Sequence, residues 1–300
     1  MKSLKKMTFK EVEQLYWNIF NSLINEISFK NIAKNYKNKC DEFIFWVVDK
    51  KLEIKGVPFG RESKSYGLNI LYGWFLENIF LYILKKNKNI KSVSLFGNDY
   101  EQKMKLKEDK IEISGKRTTL QDFKIQLTNG ASLLMELKSA AKGKFTIKKG
   151  NVSALMESTI RYEIPTVLLM LDLNNKKYEL KDFNYFTNKE AKPNNSMEGQ
   201  LCYDFPIPTN EINEIINVPF DDYAKNEKYK KCEEYKKIKK QIDFEKTANR
   251  IGIKLVKNKL KLEDLEKKKF FLDEKIAKLR KENPNIDLSW DSIDDQTNKN

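Results

Sequence analysis

Apolar residues recur at helical spacing from Val12 through Leu15, Tyr16, Ile19 and Leu23 to Ile27, behind a Thr8–Glu11 pair with capping-box spacing. The pattern predicts an amphipathic helix over 9–35. FIFWVV (43–48) and LEIKGV (52–57) read as two strands around Asp49-Lys50-Lys51. Residues 66–84, YGLNILYGWFLENIFLYIL, are long and apolar enough to raise the question of a membrane span. Asn69, Glu77 and Asn78 interrupt them, and a carboxylate at mid-bilayer is costly, so a buried core helix over 66–86 is expected. SVSLFG (92–97) and KIEIS (110–114) read as short strands. DFKIQLTNGASLLMELK (122–138) has a turn signal between two apolar runs and predicts a β-hairpin. KGNVSALMESTIRYE (149–163) reads as a helix with Asn151 or Ser153 free to cap it, stopped by Pro165. TVLLMLDL (166–173) has the continuous apolar run of a strand buried on both faces. Residues 174–221, with Pro193, Pro206, Pro208 and Pro219, read as loop-rich.

The order from 66 to 173 therefore predicts an α/β fold, a mixed central β-sheet flanked by helices. We place a domain at 1–221 with its core at about 66–173. A basic helical appendage, hairpin or coiled coil, follows over 222–283, and an acidic tail over 284–300. In 225–282 there are 21 Lys and Arg against 11 Asp and Glu, which accounts for most of the net charge of +14 on 300 residues. Apolar residues recur there as Tyr229, Cys232, Tyr235, Ile238 and Ile242. Past a break near Arg250-Ile251-Gly252 they resume as Leu255, Leu262, Leu265, Leu272, Ile276 and Leu279, nearly a heptad.

Composition narrows the chemistry. The positive excess favours a polyanionic partner, nucleic acid above all, although lysine-rich helical faces are often simply solvated. Three scattered cysteines, Cys40, Cys202 and Cys232, form neither a disulfide framework nor a zinc cluster. The N-terminal stretch lacks an apolar h-region. Together these predict a reducing, cytoplasmic setting. There is no histidine. Ser-His-Asp and Cys-His chemistry is excluded, so any reaction must use carboxylates, lysine, tyrosine or a metal.

The hairpin holds the best candidates. Glu-x-Lys or Asp-x-Lys occurs twelve times, so the motif alone means nothing. Glu136 and Lys138 differ from most of the others by lying inside an apolar strand, where charge needs a partner. Register decides whether Asp122 joins them. A two-residue Asn129-Gly130 turn would face Asp122 with Leu137 and split the charges across the sheet. A three-residue loop, Thr128-Asn129-Gly130, pairs Leu127 with Ala131 and sets Asp122 opposite Glu136, with Lys138 on the same face. We take the second as our expectation. Two carboxylates and the Leu137 carbonyl then offer hard oxygen ligands for Mg²⁺, with a lysine to orient a water or, if burial lowers its pKa, to share its proton.

Asp122, thirteen residues, then Glu136-Leu137-Lys138 resembles the signature of the PD-(D/E)xK nuclease superfamily, and the element order resembles its αβββαβ core. Size and flanks are most similar to those of a type II restriction endonuclease. The resemblance covers about a third of the chain. It implies Mg²⁺-dependent, site-specific cleavage of double-stranded DNA, usually by a homodimer, beside a cognate DNA methyltransferase. It assigns metal ligation to Asp122 and Glu136, catalysis also to Lys138, and an accessory carboxylate to Glu77. It further turns the Ser139–Lys149 region toward the DNA backbone, with Lys142, Lys144 and Lys148 as contacts; Arg61, Lys64 and Arg117 are further candidates. Gln121 stands where the family has proline. Asp41 with Glu53-Ile54-Lys55 is a rival layout that lacks the following helix and buried strand. Cross-strand salt bridges are the plainer reading of Asp122 and Glu136, and solvent exposure or a local polar contact that of Glu77. Two other functions compete: a structure-selective repair or junction-resolving nuclease, and a non-enzymatic binding protein built on the basic helices.

Overall fold

The computed structural model describes residues 4–24, 26–57, 62–97, 104–113, 120–140, 145–187, 189–195, 199–225, 228–250 and 259–282. The chain divides into two compact units, Met1–Lys239 and Lys240–Asn300. In the first unit the capping box forms as expected: Glu11 accepts from the Thr8 N–H at 2.7 Å, and the Glu11 N–H donates to Thr8 Oγ1 at 3.3 Å. It opens helix α1 (Phe9–Ile24). The expected single helix over 9–35 is instead two. Glu26 is extended and α2 (Ile27–Ile44) starts on a new stripe of Phe29, Ala33, Tyr36, Cys40 and Phe43. Ile27, counted in the first stripe, is out of phase with the second and 75% exposed.

The strand expected at 43–48 does not form. α2 runs into a π-helical turn, Phe45–Asp49, in which Phe45 and Val48 face solvent. Only Glu53–Ile54 of the next predicted strand is extended, as β1. Helix α3 (Ser63–Leu84) is the expected core helix, with Phe75, Ile79, Phe80 and Ile83 fully buried. Phe43 of α2 packs onto Gly67 of α3, where a Cβ would lie 2.1 Å from the ring.

The central sheet has six strands in the order β12-β9-β8-β6-β5-β2. These are β2 (Ile90–Leu95), β5 (Phe123–Leu127), β6 (Ser132–Ala140), β8 (Thr166–Asp172), β9 (Lys177–Asp182) and β12 (Asn210–Glu211). Within this sheet only β6 and β8 pair in parallel; the crossover between them carries α4 (Lys149–Tyr162). The sheet is mixed, the fold is α/β, and α3-β2-β5-β6-α4-β8 follows the αβββαβ order. The N-cap of α4 is Lys148, without a side-chain bond, rather than Asn151 or Ser153. β8 is buried along its whole length.

KIEIS forms β4 (Lys110–Ile113) but lies outside the central sheet. It pairs with β3 (Met104–Lys107) and β1. Of these strands only Ile54 and Ile111 are buried, too little for a central position. Residues 174–221 are not mainly loop: β9 and β12 extend the central sheet. β7 (Thr146–Lys148), β10 (Lys192–Asn194) and β11 (Gln200–Asp204) make a third sheet. The alternation of Tyr178 and Leu180 with Lys177, Glu179 and Lys181 marks β9 despite the prolines nearby. Short helices α5 (Asn184–Thr187) and α6 (Phe220–Lys225) follow β9 and β12.

One face of the sheet, carrying Phe123, Ile125, Leu133, Met135, Val167 and Leu169, joins the aromatic core of α1, α2 and α3. The other carries Leu134, Leu168 and Met170, with α4 in contact with β8 and with the third sheet. The basic segment forms α7 (Glu233–Arg250) and α8 (Lys259–Glu282). α7 ends at Arg250; Ile251, Gly252 and Leu255 of the expected break, and the tail at 284–300, lie outside the described residues. On α8 Phe270, Phe271 and Leu272 are exposed.

Candidate active site

The hairpin register decides the site. β5 and β6 pair Phe123 with Met135, Lys124 with Leu134, Ile125 with Leu133 and Gln126 with Ser132. This is the register of the three-residue loop. The Leu127 N–H donates to the Ala131 carbonyl at 2.8 Å, and the Gly130 N–H to the Leu127 carbonyl at 3.1 Å. Gly130 has a φ of 88°, a conformation that side chains disfavour. Asn129 Oδ1 accepts from the Ala131 N–H at 2.8 Å. Continuing the ladder by one step places Asp122 opposite Glu136, with Lys138 on the same face. Opposed side chains of such pairs have Cβ atoms roughly 4.5–5.5 Å apart.

Asp122 is pinned from two sides. The Phe96 N–H donates to its carbonyl at 2.8 Å, and the Leu137 N–H donates to its Oδ2 at 2.5 Å. Its carboxylate thus takes a main-chain donor at the end of the β5–β6 ladder. Both acids are buried, Glu136 at 7% exposure and Asp122 at 9%. Glu136 Oε1 accepts from the Lys138 ammonium, and its Oε2 is buried with no hydrogen-bond partner. Burial pushes the Glu136 carboxyl up to about 7, the Asp122 charge adds to the rise, and Lys138 opposes it. For Lys138, burial disfavours the ammonium, but Glu136, Asp122 and Glu77 outweigh it and hold its pKa above the ordinary value. The carboxylate neighbours thus favour the charged form of Lys138 in the metal-free chain. Glu77, half-buried on α3, acts on the cluster through its charge on Lys138.

Gln121, which stands where the family has proline, is a support in the structure. It is fully buried. Its Nε2 donates to the Leu155 carbonyl at 3.0 Å and to Thr166 Oγ1 at 2.8 Å, and its Oε1 accepts from Ser158. Thr159 Oγ1 donates to the same Leu155 carbonyl at 3.0 Å. One amide thus ties the residue beside Asp122 to α4 and β8. No local signal marks this role in the sequence, where Thr118, Thr119, Asp122 and Lys124 make the surroundings of Gln121 polar.

The rival layout is dispersed. Asp41 lies on α2 in an exposed pair with Lys37, and Lys55 pairs with Glu112 across the β1–β4 sheet at 2.9 Å. Lys64 sits in the first turn of α3 and Lys148 at the end of β7, both half-exposed. Arg61, Arg117, Lys142 and Lys144 lie outside the described residues.

Among the described residues no three acidic, cysteine or histidine side chains converge as a metal cage. Two carboxylates do converge, and their chemistry fits a hard divalent cation. Glu136 has an unsatisfied buried oxygen, and its charge is opposed by a neighbour of the same sign.

No protein-family model matches the chain, and no curated protein matches it. Among solved structures it is similar to Hjc from Archaeoglobus fulgidus, described as a Holliday junction resolvase from an archaeal hyperthermophile. The identity is 13%, over 46% of this chain and 94% of that one, with a TM-score of 0.31.

Proposed function

We propose that this chain is a Mg²⁺-dependent endonuclease of the PD-(D/E)xK type that hydrolyses phosphodiester bonds in double-stranded DNA, and that it is a type II restriction enzyme. One observation carries the reading: a buried pair of opposed carboxylates, Asp122 and Glu136, with an unsatisfied Glu136 oxygen and a charged lysine on the same face. Asp122, Glu136 and the Leu137 carbonyl would hold the ion. Bound there, Mg²⁺ would supply an activated water and positive charge against the phosphate oxygens.

The chain's own residues prepare this chemistry. Asp122 is oriented by the Leu137 N–H, and Gln121 anchors the main chain beneath it. Glu136 is strained electrostatically until a cation joins it. Lys138, whose ammonium pairs with Glu136 Oε1, can orient a water or neutralise a phosphate oxygen. Glu77 adds negative potential that favours a cation. The absence of histidine fits a reaction run by carboxylate, lysine and metal. Two copies of the chain would present two such sites to a two-fold symmetric target, which motivates a homodimer and, beside it, a protecting DNA methyltransferase.

The test is cleavage of supercoiled plasmid, linear phage DNA and a four-way junction by the purified chain. The expected outcome is discrete fragments from plasmid and phage DNA with Mg²⁺ and none with EDTA. Cutting confined to the junction would replace restriction by a structure-selective activity of the same site. Full activity of a combined Glu136→Ala, Lys138→Ala variant would remove the site itself.

A further inference from the structure

We infer that the cleft between α4, α5, β11 and the start of α7 binds a single nucleotide whose base carries an exocyclic amino group. The cleft encloses about 580 Å³, within the range of small-ligand sites, and is lined among others by Lys149, Ser153, Met156, Tyr203, Lys231 and Glu234. None of these residues belongs to the carboxylate site, so the inference goes beyond the nuclease reading and does not depend on it.

The lining suits the two ends of a nucleotide. On the base side, Met156 is buried and Tyr203 is half-buried, its ring braced edge-on by Phe186 with centroids 5.1 Å apart. A braced aromatic ring stacks on a base at low entropic cost. Glu234 is half-buried beside it: its Oε1 accepts from Ser153 Oγ at 2.9 Å, and its charge acts on the Tyr203 hydroxyl. A carboxylate in that place accepts from an amino group of the kind cytosine and adenine carry. On the phosphate side, Lys149, Lys189 and Lys231 are exposed around the cleft. Among the described residues none of the three is ion-paired, and Lys189 lies over the Tyr185 ring at 3.9 Å from its centroid.

Simpler ligands fit less well. A bare phosphate would meet Glu233 and Glu234, which already complement the start of α7. A simple amine would meet three lysines. A nucleotide presents its negative end to the lysines and its donor to the carboxylate. It could arrive free in solution or as a nucleotide swung out of a DNA strand.

Calorimetric titration of the full chain in EDTA with dCMP, dTMP, deoxycytidine and inorganic phosphate tests the class. Saturable dCMP binding is expected, about tenfold or more tighter than any of the other three. The exposed charge reversals Lys149→Glu and Lys231→Glu, combined, are expected to weaken it by about tenfold or more. Glu234→Gln should erase the preference over dTMP. A photo-crosslinking arm uses duplex DNA carrying 5-iodocytosine. A crosslink mapped to Tyr203 identifies a swung-out nucleotide, whereas dCMP binding without a crosslink identifies a free one. Absence of both, equal affinity for inorganic phosphate, or dCMP binding indifferent to the charge reversals would overturn the site. A chain that binds dCMP and cleaves no DNA keeps this site and loses the nuclease reading; one that cleaves DNA and fails both binding arms does the reverse.

Discussion

Two Glu-x-Lys motifs flank the same strand. Glu136 and Lys138 on β6 face Leu168 and Met170 of β8, and on the far side Met170 and Leu168 face Glu179 and Lys181 of β9. All six side chains share one face of the sheet. Each motif makes its own ion pair, and the burial is similar: side-chain exposure is 9% and 39% on β6, 14% and 28% on β9. The two nevertheless differ in kind. Both Glu179 oxygens are engaged, Oε1 by Lys181 at 2.8 Å and Oε2 by Thr209 Oγ1 at 3.4 Å. Glu136 keeps a buried oxygen unsatisfied and has a second carboxylate across the hairpin. Spacing and burial are therefore not enough to make a site; an opposed acid and a missing partner are what separate the two.

The largest effect expected is on cleavage. Asp122→Asn, Glu136→Gln or Lys138→Ala should each slow plasmid cutting about 100-fold or more while retaining DNA binding in a mobility-shift assay. Glu179→Gln and Lys181→Ala should leave the rate unchanged. Equal losses on both strands would dissolve the distinction.

Next comes the support beneath Asp122. Gln121→Ala removes the acceptor of the buried Ser158 hydroxyl and one of the partners of Thr166 Oγ1 and of the Leu155 carbonyl, which both keep Thr159 Oγ1, and should cost about 1–3 kcal/mol in urea unfolding. If the cost falls below a few tenths of that, the amide is not the anchor described above.

Stability against pH sharpens the contrast further. In the folded chain Glu136 titrates near 7 rather than near 4.5, so the folded state holds this proton more tightly than the unfolded state. Stability from this group is fully present below about 4.5 and is lost as pH rises through about 7. Glu136→Gln should therefore stabilise the metal-free protein at pH 8, on the order of 1–3 kcal/mol, while destroying activity. Glu179→Gln should not. A thermal-unfolding series from pH 5 to 8 in EDTA, repeated with Mg²⁺, reads both effects, and Mg²⁺ should restore the wild-type protein alone.

The smallest effect concerns the turn. Gly130→Val forces a branched side chain into a positive φ and should cost about 1–2 kcal/mol, measured in the same denaturation assay. Cleavage should persist if the register survives the strain.

Local pattern carried much of the architecture. The helix behind the Thr8–Glu11 capping box, the core helix around Trp74 and Phe75, and the all-buried strand of Val167–Leu171 were legible because an apolar pattern, periodic in the first and continuous in the other two, reports burial directly. The failures share a cause. FIFWVV reads as a strand by composition, but it continues a helix whose stripe is set by packing against Gly67. β9 was masked by prolines that all lie downstream of it, Pro193 within β10 and Pro206, Pro208 and Pro219 between elements, positions that only the fold reveals. Arg61, Arg117, Lys142 and Lys144 stand as sequence-based candidates for DNA contact.

For the site the division is finer. Sequence alone determined which residue types were available, that histidine chemistry was excluded, and that Glu136 and Lys138 lay in an apolar strand. It also narrowed the question of Asp122 to two turns, because side chains alternate along a strand and one residue of slip moves them to the other face. Tertiary structure chose between those turns, through the Leu127–Ala131 hydrogen bond and the left-handed Gly130. It also supplied what no local pattern encodes: the Gln121 amide reaching α4 and β8, and a Glu136 oxygen left without a partner. Those depend on segments distant in the chain meeting in space.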